Sequence, residues 1–409
     1  MDRIINQTHS KEAFLYALSR MLERGSYYGL RTLLILYMIS DSFKMSKADA
    51  YSIYGWFAFS IMFSQILGAI FGDLIIGNKK AIIIGGIIQA IGAFTLCIPS
   101  ITGLYFGIGL VGLGTGFYSP NLISQFGKLY LDKTKLLDSG FSILYLAVNI
   151  GAFFGVLIIG YIGEQFNWSF GFGLAGILFI LSLIFPLITK KQERINKNYK
   201  NFNISHKIII ISLVIIFVGI FWSFYEISSI GITELQWEIK KFSNLSILKN
   251  SNSLKTIIII PISLAAIIFW LYFYYSQIIK LIVGFILGAI SFGMLYIIPE
   301  APIENQLILL ILSLIILGVA EIHISPIIHS TLTKYINPKY LAIAISLSVL
   351  PSRLPYFLFT IFDDEIYNDS IFTLKLSFIA MSFVCIGLIL LIILLRKTNF
   401  ILTMNNNKK

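Results

Sequence analysis

AFLYALSRMLERGSYYGLRTLLILYMI, residues 13–39, combines the length and apolar character of a membrane-spanning helix with a set of polar side chains. A helix needs about 20 apolar residues to cross a bilayer, so this stretch is long enough. Its polar side chains are Arg20, Glu23, Arg24, Tyr27, Tyr28 and Arg31. At about 100° per residue they fall on one face of the helix. Because ionisable groups at membrane depth normally face a protein interior or a watery cavity, the stretch predicts one wall of a polar pathway.

The rest of the chain is similarly apolar. Charged residues make up 12% of the 409 residues, about half of the ~25% that is typical of soluble domains. Hydrophobic residues reach 57%, which is more than a soluble core of this size would use. The composition therefore predicts an all-α integral membrane protein.

Apolar stretches alternate with short polar breaks and predict twelve transmembrane helices. We place them near residues 13–39, 50–72, 79–99, 102–129, 139–163, 168–189, 206–234, 252–276, 278–297, 303–334, 339–362 and 369–396. The longest polar break, the predicted linker 190–206, separates a six-helix half at 1–189 from a second half with a short tail at 207–409. This layout is typical of alternating-access transporters with pseudo-symmetric halves.

Basic residues in the predicted loops indicate the orientation. Lys79, Lys80, Lys133, Lys135 and the basic run within 190–200 lie on one side of the twelve-helix arrangement, and most loop carboxylates lie on the other. Since basic loops stay cytoplasmic, we expect a multi-pass protein of the cytoplasmic (inner) membrane with both termini inside. The net charge of +11 follows from this bias and from anionic lipid headgroups, so no nucleic-acid partner is expected.

Four stretches and three shorter features, in order along most of the chain, resemble one family. The stretches are ERGSYYGLR at 23–31, GAIFGD at 68–73, GNKK at 77–80 and FSILYLAVNIGAF at 141–153. The shorter features are Pro120-Asn121, Phe221-Trp222 followed by Glu226, and residues 321–326. Together they resemble proton-dependent oligopeptide transporters, a branch of the major facilitator superfamily. The resemblance implies the major facilitator fold, alternating access and proton-coupled import of di- and tripeptides.

The polar residues also suit a short zwitterionic peptide. Arg24 and Arg31 can bind its carboxylate, because the guanidinium fork matches a carboxylate bidentately. Glu321 is the natural anion for the ammonium group, and the resemblance links that position to the peptide amino end. Hydroxyl and amide groups can meet the peptide bonds, and an aromatic pocket accepts varied side chains. The predicted substrate-binding residues are Arg24, Arg31, Tyr27, Tyr28, Asn149, Trp222 and Glu321.

Three carboxylates are candidates for carrying the proton, namely Glu23, Glu226 and Glu321. Glu23 is flanked by Arg20 and Arg24, and nearby opposite charges favour the ionised form. The proton is therefore assigned to Glu226 or Glu321.

Structural roles are the alternatives for these side chains. Glu23 with Arg24, or Glu321 with another group, can be a structural pair, Asn149 can hold helices together, and Trp222 can be packing. Asp73 with Lys79 and Lys80 is expected to form a cytoplasmic contact between helices, with no role in substrate binding.

The chain departs from the family at several positions. Arg20 stands where the family has a glutamate, and Ser119 stands where it commonly has a lysine. These two changes make the site about one charge more positive, and Arg20 is placed to pair with Glu23 three residues away. Met62 and Ser348 replace aromatic residues, and the family motifs offer no counterpart for Arg353.

Two other functions remain open alternatives. One is an uncoupled or differently coupled carrier of another small organic anion, which the positive site would favour. The other is a degenerate, non-transporting family member. No nucleophile–base set, phosphate loop or metal-ligand spacing is indicated, so neither an enzyme nor a cofactor or metal is expected. The partners expected are short peptides, protons and the lipid bilayer, and the protein is expected to be a monomer.

Overall fold

The computed structural model describes residues 8–189, 204–240, 251–272, 277–299, 306–355 and 370–397. Within these ranges the regular structure is entirely helical. Its α-helices are α1 Lys11–Ile39, α2 Lys47–Ile70, α3 Asn78–Thr95, α4 Ile101–Lys128, α5 Leu137–Gln165, α6 Trp168–Ile188, α7 Ile204–Lys240, α8 Ser251–Tyr272, α9 Gln277–Ile297, α10 Gln306–Tyr335, α11 Leu341–Leu347 and α12 Ser370–Lys397. The predicted all-α fold class is thus confirmed. Eleven of the twelve predicted helices lie close to their expected positions, and the helix predicted at 339–362 begins as α11.

Serine residues begin several of these helices. The Ser10 side chain accepts a hydrogen bond from the Ala13 backbone N–H, and Ser46 and Ser100 do the same for Asp49 and Gly103. A hydroxyl at this position satisfies a backbone donor that the helix itself leaves unpaired.

Two helices deviate from regular α geometry. α2 continues as a π-helix over Phe71–Ile76 and ends at Gly77, whose φ of +85° suits glycine. The helix predicted at 339–362 is broken after Leu347, and residues 350–355 are again helical. Pro351 explains the break, because it has no N–H for the Leu347 carbonyl and its ring crowds that carbonyl. Residues 356–369 lie outside the described part.

The described helices have the composition of a multi-pass membrane protein. Eight of them are long and apolar enough to cross a membrane. α1 is not among these eight because charged side chains interrupt its apolar surface. Large apolar side chains such as Phe106, Phe154 and Phe383 are exposed on the helix surfaces, which suits contact with lipid.

The helices cluster into two compact units. Unit 1 contains Met1–Ser212, Ser263–Tyr274 and Ile328–Leu350, and unit 2 contains Leu213–Ile262, Tyr275–Ile327 and Pro351–Lys409. The predicted division into halves at 1–189 and 207–409 stays a prediction. Residues 190–203 of the predicted linker 190–206 lie outside the described part.

Close backbone approach of α1 and α5 organises unit 1. Both helices carry glycines four residues apart, Gly25 with Gly29 and Gly151 with Gly155. An added Cβ on Gly155 would lie 2.0 Å from the Gly25 carbonyl oxygen, which leaves no room for a side chain. Small residues at this spacing let membrane helices pack at short range, and this packing holds the polar face of α1 in place.

The start of α1 is fixed by the turn between α4 and α5. His9 Nδ1 lies 2.8 Å from the Tyr130 hydroxyl, and Lys133 Nζ donates to the Thr8 carbonyl at 3.1 Å. Burial and the Lys133 charge lower the pKa of His9. Its neutral ring can therefore accept a hydrogen bond from the Tyr130 hydroxyl.

Candidate functional site

The polar face of α1 is built around Glu23, which is fully buried. Its Oε2 accepts hydrogen bonds from Arg20 Nη1 at 3.1 Å and Arg24 Nε at 2.7 Å. Its Oε1 accepts from Arg24 Nη2 and, at 3.0 Å, from Gln89 Nε2 of α3. The predicted Arg20–Glu23 pair is therefore present. Because Glu23 receives four hydrogen bonds, three of them charge-assisted, it is held in one position.

Ser119 contacts the same network from α4. Arg20 Nη1 donates to Ser119 Oγ at 2.7 Å. Ser119, which stands where the family commonly has a lysine, is thus a neutral hydrogen-bond acceptor. Its donor is Arg20, which stands where the family has a glutamate. The two departures from the family therefore contact each other.

Aromatic rings lie against the guanidinium groups of Arg24 and Arg31 on α1. The Arg24 guanidinium lies 4.5 Å from the centre of the Tyr27 ring and 5.9 Å from that of Tyr28. The Arg31 guanidinium lies 5.0 Å from the centre of the Tyr54 ring of α2. Arg31 is exposed. Stacking on a ring face leaves the in-plane N–H groups of a guanidinium free to bind a carboxylate.

Asn149 of α5 is half-buried, and its amide donates to the Tyr145 carbonyl of its own helix at 2.9 Å. This bond uses one amide hydrogen. The second hydrogen and the amide oxygen remain to be satisfied by another group.

The predicted residues of unit 2 lie on α7 and α10. Trp222 packs against Phe221 and Tyr225, with ring centres 5.9 and 5.1 Å apart. Glu226 Oε1 lies 3.1 Å from Arg353 Nη1, so the arginine without a family counterpart has a partner among the predicted site residues. Glu321 of α10 is buried.

Asp73 contacts residues different from those expected. Its Oδ1 accepts from Asn78 Nδ2 at 2.8 Å and lies 4.0 Å from Lys128 Nζ, while its Oδ2 accepts from the backbone N–H of Ile343 at 2.9 Å. Ile343 is in the first turn of α11, where a carboxylate interacts favourably with the helix dipole.

The expected ion pairing of Asp73 with Lys79 and Lys80 is replaced by Lys128. Lys79 Nζ instead donates to the carbonyls of Leu187 and Thr189 at the end of α6, and Lys80 is exposed. Of the residues that directly follow Gly77, Asn78 contacts Asp73 and the two lysines do not.

Three members of these networks, Gln89, Thr115 and Lys128, were not predicted from the sequence. Gln89 bridges Glu23 and Thr115 Oγ1, to which it donates at 2.9 Å, and Lys128 contacts Asp73. An uncharged polar side chain in the middle of the apolar α3 was the available signal for Gln89, since such groups need partners in a membrane. Lys128 carried no such signal, because a lysine at a helix end is also expected beside lipid headgroups.

Residues 14–360 match the family profile described as Major Facilitator Superfamily. YclF of Bacillus subtilis, described as an uncharacterized transporter, is 32% identical over 190 residues, covering 45% of this chain and 39% of the relative. A di-/tripeptide transporter of Lactococcus lactis subsp. lactis is 28% identical over 276 residues, covering 61% of this chain and 55% of the relative. The matches therefore span 39% to 55% of the length of these relatives.

Solved structures share the fold along most of the chain. A bacterial homologue of the human drug peptide transporters PepT1 and PepT2 superposes with a TM-score of 0.67 at 17% identity, covering 95% of this chain and 99% of the other. A peptide transporter POT in complex with sulfate superposes with a TM-score of 0.64 at 22% identity, covering 95% of both chains. These structures show the fold, and the profile and the di-/tripeptide transporter among the relatives confirm the resemblance that the motifs indicated.

Proposed function

Because this chain belongs to the Major Facilitator Superfamily, we propose that it is a secondary transporter that imports di- and tripeptides across the cytoplasmic membrane. The observation that carries this proposal is the polar face of α1, on which arginines and tyrosines follow one another inside an apolar helix. The di-/tripeptide transporter among the relatives supports the substrate class.

Arg31 is the best-placed ligand for the peptide carboxylate. Arg24 already donates to Glu23 through both Nε and Nη2, whereas Arg31 is exposed and lies over the Tyr54 ring. Glu321, a buried carboxylate of α10, is the proposed partner of the peptide ammonium group. In this proposal Tyr27, Tyr28 and Asn149 bind the peptide bonds, and Trp222 lines a side-chain pocket.

Transport occurs by alternating access in this proposal. The halves 1–189 and 207–409 rock about the substrate, joined by the cytoplasmic linker 190–206, and both termini are cytoplasmic. In this proposal Asp73 has a structural role through its contact with α11. Lys79, which donates to the end of α6, and the exposed Lys80 are structural as well. The protein works as a monomer in this proposal, because the pathway lies within one chain. The proposed transport uses no cofactor.

The proton is carried by Glu226 or Glu321 in this proposal. Glu23 is an unfavourable proton acceptor, because both of its oxygens already accept hydrogen bonds from guanidinium groups. Glu226 has one guanidinium partner, Arg353, and its side chain is partly exposed. It can therefore exchange a proton with water more readily than Glu23.

One observation favours a second candidate function, a carrier of another small organic anion. Arg20 and Arg24 share the single carboxylate of Glu23, so this part of the site is positively charged. An anionic substrate without an ammonium group would gain from that charge and would not need Glu321.

Uptake into proteoliposomes distinguishes these functions. We expect a radiolabelled dipeptide to accumulate when the outside is made acidic, and only to equilibrate without a pH gradient. Unlabelled di- and tripeptides should compete, whereas amino-blocked dipeptides should compete weakly because they cannot pair with Glu321. In Glu321→Gln this preference for a free amino end should disappear.

The other outcomes each support a different function. Peptide uptake that ignores the pH gradient would indicate an uncoupled carrier. Uptake of organic anions without peptide uptake would support the second candidate. Failure to move either class, by protein that is correctly folded, would indicate a degenerate family member.

A further inference from the structure

Two arginines and one glutamate leave a surplus positive charge inside unit 1. Arg20 and Arg24 are each 8% exposed, and Glu23, between them, is fully buried. Among the ion pairs of the described residues in unit 1, no second carboxylate contacts either guanidinium group. The three side chains therefore carry a formal charge of +1. A buried charge is stable only when it is paired or neutralised.

Arg20 also has a buried donor that is not used. Both of its hydrogen bonds to described residues leave from Nη1, one to Glu23 and one to Ser119. Its Nε is buried without a hydrogen-bond partner. Buried polar groups are nearly always hydrogen-bonded, and an unpaired charged donor is among the most costly exceptions.

The edge of Arg20 that carries this donor is separate from its described contacts. In a guanidinium group the Nε–H and one Nη2–H point to the same side. Nη1, which binds both Glu23 and Ser119, lies on the other side. Neither hydrogen bond to a described residue therefore uses the Nε edge.

We propose that unit 1 binds a small monovalent inorganic anion, such as chloride, at the Nε edge of Arg20. One negative charge matches the surplus of +1, and the anion would accept from Arg20 Nε. Because Arg20 is only 8% exposed, a compact ion suits this position better than a large one. This inference does not rest on the proposed function, since a resident anion requires no transport.

Thermal unfolding of the purified full chain in detergent tests this proposal. Sodium gluconate is replaced stepwise by sodium chloride at constant ionic strength, because gluconate is a much larger anion than chloride. We expect a saturable rise in Tm of roughly 3 °C or more, as for any ligand that binds only the folded state. Bromide and nitrate should act like chloride, and the larger divalent sulfate should not.

Three variants locate the effect. Arg20→Gln removes the surplus charge and leaves the neutral pair of Glu23 and Arg24, so its Tm should no longer depend on chloride. Lys11→Gln removes the same charge from an exposed position of the same helix and should keep the full response. Ser119→Asp should also abolish the response, because a carboxylate beside Arg20 Nη1 neutralises the surplus charge.

Several results would overturn the proposal. A wild-type Tm that does not depend on the anion, or an Arg20→Gln protein that keeps the whole response, would show that Arg20 binds no anion. A rise produced by an acidic dipeptide but not by chloride would assign the surplus charge to the substrate.

Discussion

Glu226 and Glu23 show how the surroundings of a carboxylate determine its suitability for proton transfer. The Glu226 side chain is 29% exposed, and its partner Arg353 is 54% exposed. Partly solvated ion pairs are weak because water screens them. Glu23 lies instead in a closed network with Arg20, Arg24 and Gln89. We therefore propose that Glu226 takes part in proton exchange and that Glu23 has a structural role.

Replacing Glu226 tests this assignment. We expect Glu226→Gln to abolish uptake driven by a pH gradient but to spare counterflow, the exchange of labelled for unlabelled peptide. The amide cannot carry a proton, yet the substrate site is unchanged. Initial rates in proteoliposomes measure both activities.

Glu234→Gln is the matched control for this experiment. It changes an exposed glutamate of the same helix and should leave both activities intact. Gradient-driven uptake that persists in Glu226→Gln would remove the proton from this residue and leave Glu321 as the remaining candidate.

At the scale of elements, glycine spacing determines how closely α1 approaches α5. Gly25, Gly29, Gly151 and Gly155 face one another, and the backbones meet without side chains between them. The close approach matters for function because the polar face of α1 meets α3 and α4 only if α1 keeps this position. The predicted pathway wall thus depends on residues that have no polar chemistry of their own.

A single added methyl group should disturb this packing. In Gly155→Ala the new Cβ would lie 2.0 Å from the Gly25 carbonyl oxygen, so the backbones must separate. Overpacking of this kind costs about 1–3 kcal/mol, and we expect a lower Tm and a lower yield of folded protein.

Gly160→Ala provides the comparison within the same helix. No atom lies within 4 Å of its ideal Cβ apart from its own surroundings in the helix, and alanine favours a helix over glycine by up to ~1 kcal/mol. Its Tm should be unchanged or slightly higher. Equal losses in both variants would indicate that close packing of α1 on α5 is not what the glycines provide.

At the scale of the whole molecule, the orientation in the membrane rests on loop charges. The two ends of α5 offer a direct comparison. Thr134 is exposed beside Lys133 and Lys135, and Gln165 is exposed beside Glu164. Under the positive-inside rule the basic end is cytoplasmic.

Cysteine labelling in intact cells tests this orientation. In a Cys97→Ala/Cys385→Ala background, Gln165→Cys should react with an impermeant thiol reagent added outside. Thr134→Cys should react only after the cells are permeabilised. The reverse pattern would invert the topology and place both termini outside.

The sequence alone determined the features that arise within one helix. Helix positions follow from apolar stretches, because a segment in lipid must satisfy its own backbone hydrogen bonds. The Arg20–Glu23 pair follows from residues three apart on one helix. The motifs also indicated a branch of the Major Facilitator Superfamily, and the matching profile confirms the superfamily.

Only the tertiary structure decided which side chains from different helices meet. Gln89 reaches Glu23 from α3, Ser119 reaches Arg20 from α4, and Lys128 takes the place expected for Lys79 beside Asp73. Spacing along a chain fixes the face of its own helix, but it does not fix how that helix is rotated and shifted against its neighbours. Those two quantities depend on packing, here on glycines that allow backbone contact, and they determine the partner of each buried charge.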